Sequence, residues 1–195
     1  MSMNCSILGL TPAQIDGLVA TPELVTHLVL VAWDKTRKAH LDEDRQVRIA
    51  EAREQIAQLG PFEPPLDLEE WWHSLHYVLA GEMRPVDGGG DLLLTGQELG
   101  EDMGYGPARL HSPAETKDFR RFLDTQDLAN LQARIGEMSR LGVYPGRGPR
   151  GAVTGPANAE FQDMLRNNVG RCFVRLREYV HKMSDRGNGL LIWVI

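Results

Sequence analysis

Four side chains in the middle of the chain could together bind or transform a small molecule. Trp72 and His76 lie four residues apart in a segment with helical spacing of apolar residues, so they share one helix face. Tyr105 sits in a Gly-Tyr-Gly turn, and Arg109 follows in the short strand predicted after that turn. If the helix packs near the turn, the four side chains line a pocket for a small anionic or planar ligand. In that arrangement His76 acts as acid or base and Arg109 as an anion clamp.

His111 extends this candidate pocket because it shares one face of the predicted strand at 107–111 with Arg109. A cationic face is costly to bury unless it is paired, so we expect this face to meet solvent or to line a polar cavity. The alternative is that Arg109 forms an ion pair with a carboxylate such as Asp67 or Glu101 and only stabilises the fold.

A second group of residues, Glu69, Glu70, His73 and His76, approaches the spacing of metal ligands on a helix. However, the chain contains no H-E-x-x-H string and no second group of this kind. We therefore predict no metal site. We expect His76 to be a hydrogen-bonded residue at the margin of the core and His73 to be exposed.

The segment at 146–151 matches the string G-x-G-x-x-G of dinucleotide-binding sites. Such a site needs a strand before the string and a helix directly after it, whereas here Pro149 interrupts the string and more loop follows. We therefore predict no cofactor site. Arg147 and Arg150 could instead bind a phosphate or carboxylate of a partner, since they lie in a long Gly- and Pro-rich loop at 142–156. The alternative is a plain solvated loop.

Signatures of nucleophilic catalysis and of nucleotide hydrolysis are missing from the chain. It contains no G-x-S-x-G elbow, no P-loop, no kinase signature and no Cys-centred nucleophile motif. The sequence therefore favours a non-catalytic binding or interaction protein. The alternative is a small enzyme that acts on a carboxylate- or phosphate-bearing molecule in the pocket near His76, Tyr105 and Arg109.

The charge balance excludes two classes of partner. With 21 basic and 27 acidic residues the net charge is −6, which argues against a dedicated binder of nucleic acid or of an anionic membrane. Residues 140–186 are nevertheless basic, with 9 positive against 4 negative side chains. This region could attract an acidic partner, although a solvated helix face of mixed charge is the simpler interpretation.

The two cysteines and the apolar runs bear on the compartment. Cys5 and Cys172 lie in apolar patterns and form no C-x-x-C pair, so both are expected to be buried, reduced thiols. We find no signal peptide, and the longest apolar run, at 24–33, is too short to cross a bilayer. These features predict a cytoplasmic protein and leave the oligomeric state open.

Strand and helix signals alternate along the chain. Strands are predicted at 3–10, 107–111 and 190–195. Helices are predicted from Thr11-Pro12, from Thr21-Pro22, at 42–59 and 67–79, from Ser112-Pro113 to about 141, and at 157–186. This alternation predicts one helix-rich α/β domain over residues 1–195, built around a small sheet that includes the first and last strands.

Several of these segments resemble the YfbM-like family of small bacterial proteins of unknown function. The resemblance rests on Trp72-His73-Ser74-Leu75-His76 with Leu79-Ala80-Gly81, on Gly104-Tyr105-Gly106-Pro107-Ala108-Arg109-Leu110, on Val143-Tyr144-Pro145-Gly146, and on the apolar strand after Gly189. It implies a single three-layer α/β domain. It implies no activity, cofactor or catalytic residue.

Overall fold

A computed structural model describes residues 3–36, 43–82, 91–141 and 156–195. The strands are β1 (Cys5–Leu10), β2 (Leu66–Asp67), β3 (Gln97–Leu99), β4 (Ala108–His111) and β5 (Gly189–Val194). The helices are α1 (Pro12–Ala20), α2 (Leu24–Thr36), α3 (Glu43–Ile56), α4 (Trp72–Ala80), α5 (Pro113–Asp124), α6 (Leu128–Leu141) and α7 (Pro156–Asp185). Two short 3₁₀ turns, Ala57–Leu59 and Glu69–Trp71, follow α3 and precede α4.

The five strands form one antiparallel sheet in the order β2-β1-β5-β4-β3. Strand β5 lies at the centre and pairs with β1 along its whole length, from Cys5 opposite Val194 to Leu10 opposite Gly189. The sheet therefore contains the first and last strands, as the sequence predicts. Both strands are buried because helices cover both faces of the sheet.

Alternate residues of β5 enter two separate hydrophobic cores. Leu190 and Ile192 pack with α4–α7, whereas Leu191 and Trp193 pack with α1–α3. This alternation follows from the two-residue period of a strand. The fold is thus the predicted three-layer α/β arrangement, with the sheet in the middle.

Two helix starts that carry Pro after Ser or Thr form as predicted. The Thr11 hydroxyl accepts a hydrogen bond from the Gln14 backbone N–H at 3.3 Å, and the Gln14 amide oxygen accepts one from the Thr11 N–H at 2.9 Å. Ser112 and Glu115 form the same reciprocal pair at the start of α5. These capping boxes fix where each helix leaves the sheet.

The helix predicted at 67–79 is wrong in its first turn. Leu66 and Asp67 pair with β1, and α4 begins only at Trp72. The Asp67 carboxylate accepts a hydrogen bond from the Glu69 N–H at 2.7 Å, and Glu69 adopts a φ of +55°. This local turn replaces the first helical hydrogen bonds, because an Asp side chain competes for nearby backbone donors.

The long helix α7 packs its predicted apolar stripe into the core. Its side chains at Leu165, Val169, Cys172, Phe173, Leu176, Val180 and Met183 are buried. Gly187 ends the segment with a φ of +69°, the left-handed conformation expected of a C-terminal cap. Among the described helices, none combines the length and apolar character needed to cross a membrane.

The Met183 side chain of α7 packs closely against Gly9 of β1. A Cβ placed on Gly9 would lie 1.9 Å from the Met183 sulfur. The Tyr179 hydroxyl accepts a hydrogen bond from the Gly9 N–H at 2.8 Å, and burial raises the pKa of Tyr179 to about 12. Tyr179 thereby satisfies a backbone donor beyond the short edge strand β2.

We expect Gly9→Ala to destabilise the protein by about 1–3 kcal/mol, because the new methyl group overpacks the contact with Met183. In an uncrowded strand the same substitution stabilises, because glycine loses more backbone entropy on folding. Urea denaturation measures the change. In a Met183→Ala background, which removes the crowding side chain, Gly9→Ala is expected to cost less. Equal costs in both backgrounds would contradict the steric explanation.

Both cysteines are free and fully buried, as expected. Burial raises the pKa of Cys172 to about 11, and it raises the pKa of Cys5 further.

We expect neither thiol to react with 5,5′-dithiobis(2-nitrobenzoate) within an hour at pH 8 in the native protein, because thiolate formation and access are both disfavoured. Both thiols should react at once in guanidinium chloride. Rapid native labelling of either thiol would show that its part of the core opens.

Candidate functional site

A cavity of about 220 Å³ lies where β4 and β5 meet the start of α4 and the turn before β4. We call it the aromatic cavity. It is lined by Met3, Trp72, His73, Leu93, Leu94, Tyr105, Pro107, Arg109, Ile192, Trp193 and Val194. It therefore brings together three residues of the predicted pocket, Trp72, Tyr105 and Arg109.

Two neighbouring rings at the start of α4 form one wall of the aromatic cavity. The centroids of the Trp72 and His73 rings are 5.2 Å apart, and their planes are inclined by 41°. The indole N–H of Trp72 donates a hydrogen bond to the Met3 carbonyl at 3.2 Å, which fixes the indole ring against the first residues of the chain. A tryptophan held at both its ring and its N–H is a rigid surface for a planar ligand.

The turn that carries Tyr105 is fixed by one carboxylate. Asp102 accepts hydrogen bonds from the N–H groups of Gly104 and Gly106, both at 2.8 Å, and these bonds lower its pKa. Both glycines have a φ near +100°, which other residues rarely adopt. Tyr105 lies between them at the tip, half-exposed with 50% of its surface accessible. The predicted Gly-Tyr-Gly turn thus presents a phenol ring at the edge of the cavity.

Arg109 supplies a positive charge to the aromatic cavity. It lies opposite Glu98 in the β3–β4 pair, and the distance from its Nη2 to the Glu98 Oε1 is 3.5 Å. The Arg109 side chain is 26% exposed and that of Glu98 is 61% exposed. An ion pair at 3.5 Å with one largely exposed partner contributes little to stability. The guanidinium can therefore exchange Glu98 for the carboxylate of a ligand and bind it through two parallel hydrogen bonds.

The sequence did not identify Glu98 as the partner of Arg109. Asp67 and Glu101 were the examples given of a carboxylate that could pair with Arg109. Arg109 does lie beside a carboxylate, but that carboxylate belongs to Glu98 of β3, a strand that the sequence did not predict. Strand β3 spans three residues, too few to show the alternation that marks a strand. The only signal was the acidic Glu98 close before the turn.

His76 does not line the aromatic cavity; the imidazole there belongs to His73. His76 is fully buried rather than at the core margin, and His73 is half-buried rather than exposed. Periodicity reasoning assumed that α4 has a solvent face. In the structure every residue of α4 except His73 and Ala80 is buried, so the helix has almost no exposed side.

His111 is not among the residues that line the aromatic cavity. Its side chain is 3% exposed, and its Nε2 lies 3.1 Å from the Leu92 carbonyl oxygen. A Cβ on Gly96, which has a φ of +113°, would lie 2.7 Å from the same nitrogen, so the segment can approach only with glycine there. Burial lowers the pKa of His111, opposed by the nearby negative charges of Glu115 and Asp91.

The group of potential metal ligands is not assembled. Glu69 precedes α4 and lies 3.7 Å from Arg175 and 4.0 Å from Arg171 of α7, measured between charged atoms. Over the described ranges, no three His, Cys, Asp or Glu side chains come together as a metal site would require. Arg147 and Arg150, the candidate partner-binding residues, lie outside the described residues.

Much of the positive charge on α7, and that of Arg186 directly after it, is paired within the molecule. Arg171 and Arg175 meet Glu69, and Lys182 and Arg186 both bind Glu63. Within α7, Arg166 binds Asp163 one turn away. These contacts agree with a solvated face of mixed charge.

The comparisons with known proteins bear on the family and the fold. A family model described as a domain of unknown function, DUF1877, matches residues 1–193. The structure is similar to that of YfbM from Escherichia coli, a protein of unknown function, with 16% sequence identity, a TM-score of 0.62, and coverage of 98% of this chain and 99% of that one. No curated protein matches significantly. The resemblance to the YfbM-like family is confirmed, and at this identity the structural match shows the fold alone.

We expect the free energy of unfolding to fall as the pH drops below the ordinary His pKa of 6.5. The pKa of His111 is lower in the folded state, so between the two pKa values the unfolded state binds the extra proton. The slope is at most about 1.4 kcal/mol per pH unit. It vanishes above the unfolded pKa and below the folded one.

Urea denaturation at pH 7.5, 6.5 and 5.5 measures this loss. His111→Gln should flatten the profile in that range. A profile that keeps its slope without His111 would assign the effect to another group.

Proposed function

The chain belongs to the DUF1877 family, whose description names no activity, and we propose from the aromatic cavity that the protein binds a small planar carboxylate without transforming it. Support comes from one arrangement: a partly buried guanidinium at the edge of a cavity whose walls are aromatic and aliphatic. Apolar walls with a few convergent polar groups are the usual form of a small-molecule site.

The size and walls of the aromatic cavity define the ligand class. Its volume of about 220 Å³ is suited to a ligand of one or two rings. Trp72 and Tyr105 bring aromatic rings to the lining, against which a planar ligand can pack, and Arg109 offers two parallel N–H donors to a carboxylate. A ligand with a flat ring and an acidic group on a short arm would use both features at once.

The lining residues support binding more than catalysis. Among the described residues that line the aromatic cavity, His73, Tyr105 and Arg109 have side chains that can take part in proton transfer or bind an anion. The part of the lining that the structure describes includes no carboxylate, hydroxyl of Ser or Thr, or thiol that could serve as a nucleophile. His76, the acid or base of the alternative enzyme hypothesis, is buried elsewhere.

We also infer that the protein acts in the cytoplasm as one domain over residues 1–195. Two free buried thiols suit a reducing compartment. The described segments from both ends of the chain share one sheet, which supports a single folding unit.

We expect indole-3-acetate to bind at least tenfold more tightly than indole-3-acetamide, because a charge-assisted hydrogen bond is worth about 1.5–3 kcal/mol. Arg109→Gln should remove this preference, and Trp72→Leu should weaken both ligands. Isothermal titration calorimetry measures each affinity. Benzoate, phenylacetate and nicotinate, with their amides, extend the comparison to smaller rings.

Arg121→Gln is the matched control, because this substitution removes the same charge from a surface position. Arg121 forms an ion pair with Asp118 on α5. It should leave affinity unchanged. Equal binding of acid and amide, or an equal loss with the control variant, would exclude Arg109 as the anion site. Failure of all four acids to bind at millimolar concentration would contradict the proposed function.

A further inference from the structure

A second cavity, of about 200 Å³, lies on the opposite side of the sheet from the aromatic cavity. We call it the aliphatic cavity. Its walls come from Leu8 of β1, Leu28 and Val31 of α2, Ile56 of α3, and Phe62 of the segment that follows α3. We propose that it binds an unbranched aliphatic carboxylate, with the chain among these apolar residues and the carboxylate beside Arg53 at the mouth.

The side chains that form the walls select the chemistry of the chain. Leu8, Leu28, Val31 and Ile56 are all buried and aliphatic, and among the described lining residues Phe62 alone is aromatic. The aromatic cavity, in contrast, contains Trp72 and Tyr105. An alkyl chain gains free energy from each methylene group that it removes from water and needs no stacking partner. The walls of the aliphatic cavity therefore suit a flexible alkyl chain rather than a ring.

The outer wall is held in place independently of any ligand. It is the segment at 60–65, Gly-Pro-Phe-Glu-Pro-Pro, which we call the proline strap. The Gln14 amide donates hydrogen bonds to the carbonyl oxygens of Leu59, at 3.3 Å, and of Pro61, at 3.0 Å. The Tyr179 hydroxyl donates one to the Pro64 carbonyl at 3.4 Å. Because the strap is anchored from α1 and from α7, the cavity exists before a ligand enters, which lowers the entropic cost of binding.

Charges around the mouth favour an anionic group. Arg53 and Glu63 both line the aliphatic cavity, and Glu63 is bound by Lys182 of α7, at 2.6 Å, and by Arg186, which directly follows α7. These two cations lower the pKa of Glu63, so its negative charge is present at neutral pH and is compensated. Glu63 and its two partners together carry a net charge of +1, and Arg53 adds a guanidinium to the lining, so the mouth favours an incoming carboxylate.

The test uses the full chain with sodium octanoate, octan-1-ol and acetate, at concentrations well below octanoate micelle formation. Calorimetry should show one site for octanoate. Octanoate should bind about fivefold more tightly than octanol, because a partly exposed ion pair contributes a free energy of that size. Acetate should give no saturable signal because it lacks the chain. Backbone amide shifts on octanoate addition should concentrate in α2, α3 and residues 57–65.

Two pairs of variants locate the site. Ala57→Leu fills the cavity from its rim and should weaken octanoate at least tenfold, whereas Ala50→Leu, at an exposed position of α3 outside the cavity, should not. Arg53→Gln should abolish the preference over octanol, whereas Arg48→Gln on the same helix should retain it.

Three results would overturn the proposal. One is the absence of octanoate binding; another is equal affinity for octanol and octanoate in the parent protein. The third is octanoate binding that survives Ala57→Leu but is lost in Arg109→Gln, which would place the ligand in the aromatic cavity. The amide shifts decide the location even if Ala57→Leu destabilises the fold.

Discussion

The antiparallel pairing of β1 with β5 is the constraint on which the rest of the structure depends. These strands lie at the two ends of the sequence, yet their six paired positions form the middle of the sheet. Each of the two cores uses alternate residues of both strands, so neither core is complete without the pair. Contacts this distant in sequence carry a high entropic cost of closure, and folding is expected to be limited by their formation.

The sheet also separates the two cavities, which have different chemistry because different elements enclose them. On the α4–α7 side, two adjacent aromatic residues, a glycine-bounded turn and a strand arginine surround a small volume. On the α1–α3 side, branched aliphatic residues and a proline-rich segment enclose a similar volume. Leu8 of β1 lines the aliphatic cavity and Ile192 of β5 lines the aromatic cavity, so the pairing of β1 with β5 connects the two sites.

The sequence predicted the elements whose signals are local and dense. The stripe of α7, the capping boxes at Thr11 and Ser112 and the apolar run of β5 each specify one structure. It missed β2 and β3, whose two and three residues depend on pairing with neighbours distant in the chain. Because β2 and β3 were not predicted, two features of the candidate site were not predicted either. The partner of Arg109 lies on β3, and the start of α4, which decides that His73 lines the aromatic cavity, follows β2.

The register of β1 against β5 has a mechanical consequence. Cys5 lies opposite Val194, so the outward ends of the two strands are side by side at the same edge of the pair. Tension applied between residues 3 and 195 would separate the two strands from that end. Their hydrogen bonds would then break one after another, in the unzipping geometry, rather than bear the load together in shear. Under such a stretching force the protein would therefore yield first at the centre of its sheet, and the helices would be released afterwards.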